Sequence, residues 1–265
     1  MKLLTLNCHS WQEENQSEKI DQLAKTIHDG SYDVIALQEV SQLTSSKRLD
    51  GQVKQDNYAY VLQERLHALG SDNYQFVWDL AHLAHYEQVY EEGVAIMTKH
   101  PIQNQDSFFV SDQTDLSSGK TRKIVEVTID YGGKAFTCYS CHLGWWYDEL
   151  EPARHQMDRL LHRIPQHELC LLMGDFNCEA SKREEGYDYL LKQGLLDTYQ
   201  LAEEKDTGIT VEGSIAGWAT SKADKRIDYI FVNQEIEVNR SNVIFNGDNQ
   251  PVVSDHYGVE VYCSL

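Results

Sequence analysis

The chain has 265 residues, 41% of them apolar and 25% charged, with 42 acidic side chains against 23 basic ones for a formal charge of -19. These proportions describe a globular protein with ample core and exclude a disordered or collagen-like chain, and no apolar run is long enough to span a membrane. The acidic excess disfavours long nucleic acid as a partner, because affinity for a phosphate backbone comes from Lys and Arg displacing counterions.

No Pro-, Gly- or Ser-rich linker and no fixed-period repeat divides the chain, so residues 1–265 read as one domain. The opening MKLLTLN reaches a polar residue too soon for a secretory signal, and a cytoplasmic location is the expectation. Nothing in the sequence marks a protein partner. The six cysteines fall in or beside apolar segments and are expected as free buried thiols. Cys138 and Cys141, three apart in a strand pattern, face opposite sides and suit neither a redox pair nor a zinc site.

In chain order, Leu3 to Leu6 make a short strand ending at Asn7. Ser17 is expected to cap a helix whose apolar stripe is Ile20, Leu23, Ala24 and Ile27, with Gly30 as its stop. Asp33 to Gln38 form a second strand ending in Glu39, and the polar stretch 41–56 reads as a surface loop or lid. Asn57 caps the next helix, and His82 and His85 in HLAHYE read as rim or solvated histidines, since no carboxylate cluster adjoins them in sequence. Glu92 precedes the buried strand of GVAIMTKHPI. Arg122 and Lys123 open the strand Ile124 to Ile129, which turns at Tyr131-Gly132-Gly133 into a returning strand that ends at His142. Trp145, Trp146 and Tyr147 follow, and adjacent tryptophans in a loop either bind something or pin the loop to its neighbour. Pro152 starts a further helix.

The apolar run of LCLLMGDFNC predicts a buried strand whose end presents Asp175 and Asn177 together, with Gly174 making the turn and Phe176 packing behind. A short helix near Tyr187 and a polar loop to about residue 222, containing Trp218, come next. A strand then begins near Asp228, and Asp255 and His256 precede the last one. Asn7, Glu39, His142, Asp175, Asn177, Asp228, Asp255 and His256 thus nearly all sit at strand boundaries. That set is consistent with hydrolysis assisted by a hard metal, with no Cys/His zinc set and no Gly-rich nucleotide loop.

The segments LNCH, LQEV, EGVAIMTKHPI, CHL, GDFN, RIDYIFV and SDHYGV resemble, in sequence and order, the endonuclease/exonuclease/phosphatase superfamily of metal-dependent phosphoesterases. LTLNCHSWQEE and CHLGWW are similar to its cytosolic Gram-positive branch, which includes maltose 6'-phosphate phosphatases. The resemblance implies an α/β fold, a four-layered α/β/β/α sandwich with two mixed sheets. It implies Mg²⁺, or Mn²⁺, held chiefly by Glu39 with Asn7 and Asp255 nearby. Asp175 and Asn177 would position the attacking water and the phosphate, and His142 would bond a phosphate oxygen. His256, oriented by Asp228, would act as base or stabilise charge, with the activation of water open between Asp175 and His256. Glu92 would support His142, and Arg122, Trp145 and Trp146 would contact substrate. A small phosphorylated sugar is the expected substrate; a nuclease acting on nucleic acid and a sphingomyelinase-like phosphodiesterase are the alternatives.

Overall fold

Apolar runs become the strands of two sheets, and the amphipathic segments become helices laid on their outer faces. The computed structural model describes residues 1–215, 217–219 and 221–265. The first half of the chain forms β1 (Lys2–Asn7), α1 (Gln16–Gly30), β2 (Val34–Leu43), β3 (Arg48–Asp50), β4 (Val53–Lys54), α2 (Tyr58–Ala68), β5 (Gln75–His85) and β6 (Val89–Thr98). Then come β7 (Ile102–Phe109), β8 (Lys123–Tyr131), β9 (Lys134–His142), α3 (Ala153–Arg163), β10 (Cys170–Asp175) and α4 (Gly186–Lys192). The remainder is β11 (Leu196–Asp197), α5 (Thr198–Leu201), β12 (Glu204–Lys205), β13 (Asp228–Val232), β14 (Glu237–Ile244) and β15 (Gly258–Ser264).

One sheet has the order β12-β14-β15-β1-β2-β6-β5 and the other β11-β13-β10-β9-β8-β7, while β3 and β4 pair separately. Both large sheets are mixed: β1 runs parallel to β2 and antiparallel to β15, and β10 runs parallel to β9 and antiparallel to β13. Leu3, Val34, Ala36, Val127, Cys138, Leu171, Met173 and Ile230 fill the layer between them. Residues of α1 and α2 bury against the outer face of the first sheet, and those of α3 and α4 against the second. The expected four-layered α/β/β/α sandwich is therefore the observed architecture. Cys138 lies between the sheets and Cys141 under the outer helices, as alternation requires, and all six cysteines are free and buried. Among the described residues no helix is long and apolar enough to cross a membrane.

Several local expectations are corrected. The helix α1 starts one residue before Ser17, with Asn15 as its cap in the left-handed region and without a side-chain cap bond. Strand β2 does not stop at Glu39. Its pairing with β6 skips from Leu37↔Ala95 to Val40↔Gly93, and Glu39 occupies the resulting bulge at φ 52°. The stretch 41–56 is no free lid: the end of β2 and the β3–β4 hairpin occupy it, and the Asp56 carboxylate accepts from Leu43 N at 2.9 Å. Gly174 makes no turn; it lies inside β10, where a Cβ would stand 1.9 Å from the Cys141 carbonyl oxygen, so its value is close strand approach. The turn comes afterwards, at Asn177, with φ 47°. Ala216 and Thr220, within the loop expected to about residue 222, lie outside the described residues. Strands β7 and β14 were not expected.

Candidate functional site

Parallel strands deliver their carboxyl ends, and their antiparallel neighbours their amino ends, to one edge of the sandwich. In the second sheet, Asp175 at the end of β10 stands in register between His142 of β9 and Asp228 of β13. From the first sheet come Asn7 at the end of β1, Glu39 in the β2 bulge, and Asp255 with His256 just ahead of β15. The Asn7 amide joins the two sheets, its Nδ2 donating to Glu39 Oε1 at 2.9 Å and to Asp175 Oδ2 at 3.2 Å. Ser254 Oγ ties the last segment down by donating to the Asn7 carbonyl at 2.7 Å.

His256 is buried with Nδ1 at 3.0 Å from Asp228 Oδ2, which leaves Nε2 directed toward Asp175 Oδ2 at 3.9 Å. Burial opposes charge on this ring, but Asp228, Asp175 and Asp255 outweigh it, and its pKa is pushed up to about 10. Burial and the neighbouring Asp228 raise Asp175 to about 7; burial and Glu92 raise Glu39 to about 7. His142 Nε2 lies 3.7 Å from Asp175 Oδ2 and 3.9 Å from Glu39 Oε1. Its burial, with Arg122, His82 and His256 nearby, holds its pKa well below the ordinary value. Asn177 accepts from its surroundings through Oδ1, donates from Nδ2 to Leu143 O at 2.9 Å, and its backbone N–H donates to Asp175 Oδ1 at 2.8 Å.

These groups open on a cavity of about 140 Å³ lined by His9, Glu39, His82, Tyr86, Glu92, Arg122, His142, Trp145, Asp175, Asn177, Gly217, Trp218, Asp255 and His256. Asn7 and Asp228 stand behind them, in contact with residues that line it. A broader hollow of about 800 Å³ near Leu161, Gln166 and Asn233 has no carboxylate among its lining residues. Size alone therefore does not mark the site.

Three sequence expectations change here. Trp145 lines the cavity, but Trp146 turns away onto Tyr189 with ring centroids 5.7 Å apart and packs on the outer core. Glu92 does not hydrogen-bond His142; it accepts from Ser41 Oγ at 3.4 Å and lies 3.3 Å from His82 Nε2. His82 is accordingly a buried member of the cavity, while His85 is exposed as expected. Strand register explains this, because His82 pairs directly with Glu92 across β5 and β6. Arg122 is buried beside the cavity, its Nη1 donating to Gly119 O at 2.7 Å.

Sequence reasoning also passed over His9 and Glu13. His9 Nδ1 lies 2.7 Å from Glu13 Oε1 and 3.6 Å from Asp255 Oδ1, and Glu13 is bound in turn by Lys19 at 2.6 Å. Burial works against both charges, yet the pairing prevails, moving His9 up to about 9 and Glu13 down to about 2. The four-residue spacing of His9 and Glu13 within LNCHSWQEE was the available signal.

The donor set suits a divalent cation. Glu39, Asp175 and Asp255 are oxygen donors, and the half-buried Glu39 and buried Asp175 carboxylates lie beside further carboxylates that raise their pKa, a surplus of negative charge that a hard ion neutralises. Possible ligand atoms of His9, Glu13 and Asp255 fall within 4.8 Å of one another, as do those of Asp175, Asp228 and His256. Glu39 is in neither group and is linked to Asp175 through Asn7.

Comparison with solved structures gives the same architecture throughout. An endonuclease/exonuclease/phosphatase family protein from Leptotrichia buccalis C-1013-b is 44% identical, with all of both chains covered and a TM-score of 0.93. The mannosyl-6-phosphatase of Bacteroides thetaiotaomicron VPI-5482 is 16% identical, with all of both chains covered and a TM-score of 0.72. D. rerio TDP2, solved in complex with a single-strand DNA product, is 14% identical over all of this chain and 99% of its own, with a TM-score of 0.66. No curated protein matches. The profile of the Endonuclease/Exonuclease/phosphatase family matches residues 4–256. With its strand-end carboxylates, histidines and asparagines gathered at one edge of this sandwich, the chain belongs to the endonuclease/exonuclease/phosphatase family.

Proposed function

We propose that this protein is a Mg²⁺-dependent phosphomonoesterase acting on a small phosphorylated sugar of the maltose 6'-phosphate type. The observation that carries the reading is the cavity: about 140 Å³, with carboxylates, histidines and two indoles on one lining. Ligand pockets for drug-sized molecules span about 300–1,000 Å³, so this one suits a phosphoryl group and the ring next to it. The charge of -19 supports a small substrate over nucleic acid, and a mannosyl-6-phosphatase among the structural neighbours supports a sugar as the alcohol.

In the mechanism, Asp228 accepts a hydrogen bond from His256 Nδ1–H and so holds the charged ring with its Nε2–H facing the reaction. Asp175 Oδ2 takes the proton of the attacking water, while the protonated Nε2 of His256, 3.9 Å away, donates toward the phosphoryl group. His142, Asn177 and Arg122 donate to the phosphoryl oxygens, where charge grows as the ester bond breaks. A divalent cation held by Glu39, with Asn7 and Asp255 beside it, supplies charge neutralisation at phosphorus when bound. Glu92 holds His82 in the cavity wall, and Trp145 offers a flat apolar face to the sugar ring.

The test is kcat/KM for maltose 6'-phosphate, p-nitrophenyl phosphate and DNA, with Mg²⁺ and with excess chelator. The sugar ester should be hydrolysed best, and chelator should stop all hydrolysis. A preference for DNA, or activity undiminished by chelator, overturns the reading.

A further inference from the structure

The segment between Val211 and Lys225 looks in sequence like a polar connection, yet its described residues reach the cavity. Its base is closed by pairing of Val211 with Lys225, whose backbone N–H donates to Val211 O at 2.8 Å. The Lys225 ammonium is buried and donates to Gly213 O and Ala223 O, each at 2.6 Å, so one side chain ties the two limbs of the loop together. It also lies 5.7 Å from the ring of Trp218.

Trp218 is half-buried, and its Nε1–H donates to Asn177 Oδ1 at 3.1 Å. With Nδ2 donating to Leu143 O at 2.9 Å and to Asp175 Oδ2 at 3.5 Å, the Asn177 amide has only one orientation that satisfies both ends, which holds its Nδ2 edge beside Asp175 at the cavity. Gly217, at φ 77°, sits so close to Trp145 that a Cβ would come within 2.8 Å of Cζ2. Trp145, Gly217 and Trp218 thus form one continuous stretch of the cavity wall.

We propose that Trp218 is a specificity-determining and positioning residue: its ring N–H fixes the Asn177 amide toward the phosphoryl group, and its ring extends the Trp145 face against which the leaving sugar lies. This rests on the phosphomonoesterase reading above and assigns the substrate's ring to a particular wall. The apolar C–H face of a pyranose covers two indole surfaces well, whereas a ringless alcohol cannot.

The experiment compares maltose 6'-phosphate with ringless glycerol 2-phosphate in wild type, Trp218→Phe, Trp218→Ala and Gly217→Ala, each checked for folding by thermal melting. Trp218→Phe removes the N–H but retains a ring, and kcat should fall about three- to tenfold on both esters, the effect of one neutral hydrogen bond. Trp218→Ala should add a rise in KM of about tenfold on the sugar ester alone. Gly217→Ala crowds Trp145 and strains the backbone at φ 77°, and should raise KM for the sugar ester more than it lowers kcat. A wild-type sugar preference that survives Trp218→Ala and Gly217→Ala overturns the wall while the phosphomonoesterase reading stands. An unchanged kcat in Trp218→Phe overturns the positioning role. A wild type that prefers neither ester, or cleaves neither, removes the sugar reading and this inference with it.

Discussion

The two sides of the cavity are built on opposite terms. Asn7, Glu39, Asp175, Asp228 and His256 bond one another across both sheets, and none of their buried side-chain atoms lacks a partner among the described residues. Elsewhere on the same lining, His82 Nδ1, Arg122 Nε and Trp145 Nε1 are buried with no partner among the described residues. Unsatisfied buried polar atoms are uncommon because each is costly, so these three set a part of the lining with bonding capacity to offer apart from a preorganised centre whose bonds are made. The carboxylate side is set by strand register and should be brittle. The aromatic and cationic side takes His82 from β5 but Arg122, Trp145 and Trp218 from loops, and should tune selectivity.

The strongest way to break this contrast is to remove the cation. Chelation should abolish hydrolysis altogether, and Mg²⁺ should restore it in wild type; Mg²⁺ should also raise the melting temperature of wild type but not of Glu39→Gln. On the same side, His256→Ala should lower kcat by about 10²–10⁴ with little change in KM, since a positioned proton-handling group is lost. A change in KM alone would move His256 to the binding side of the comparison.

A stability measurement sharpens the difference without any turnover. In metal-free protein the Glu39 carboxyl titrates at about 7 when folded against 4.5 ordinarily, so the folded state binds its proton more tightly. That contribution is whole below pH 4.5 and is lost as pH rises through 7, a difference of about 3 kcal/mol. Asp175 acts in the same direction. Melting curves of the metal-free protein should show the wild type losing stability over this range and Glu39→Gln losing less; parallel curves would refute it.

Smaller effects belong to the loop side. Trp145→Ala should cut the preference for the sugar ester over p-nitrophenyl phosphate by about tenfold, as a ratio of kcat/KM. Trp146→Ala should leave that ratio in place and reduce stability by about 1 kcal/mol through loss of its contact with Tyr189. Equal shifts in selectivity from both substitutions would erase the distinction between the two tryptophans.

The same contrast explains what the sequence disclosed. Strands such as β10 and the β8–β9 hairpin announce themselves because burial on both faces, or a Gly-Gly turn, leaves a compositional trace. Strand β7 is polar because it is an edge, and β14 carries exposed Glu237 and Asn239, so neither has such a trace. Asp175, Asn177, Asp228 and His256 were legible from their positions at strand boundaries, with their roles supplied by family resemblance. His82 was not, since only its cross-strand register with Glu92 turns a surface pattern into a buried contact. Trp218 was hidden for a similar reason: no local pattern reveals that a loop tip will meet Asn177, 41 residues away in the chain.

The bulge that carries Glu39 sets the interest of the sheet against that of the site. Both neighbours of β6 slip register at the same level, β2 between Leu37 and Val40 and β5 between Leu80 and His82, and both resume pairing around Gly93 and Glu92. A shorter β2 would close its ladder and relieve the left-handed backbone at Glu39, giving a more regular sheet. The later residues would keep their partners on β6, so what would be lost is the surplus position that carries Glu39 into the cavity. Ser41, whose hydroxyl bonds Glu92, and Gln42, which fastens the β3–β4 hairpin through Gln52, would both stay in place. A single surplus residue thus keeps the strand irregular and, by the same displacement, keeps a carboxylate in the cavity.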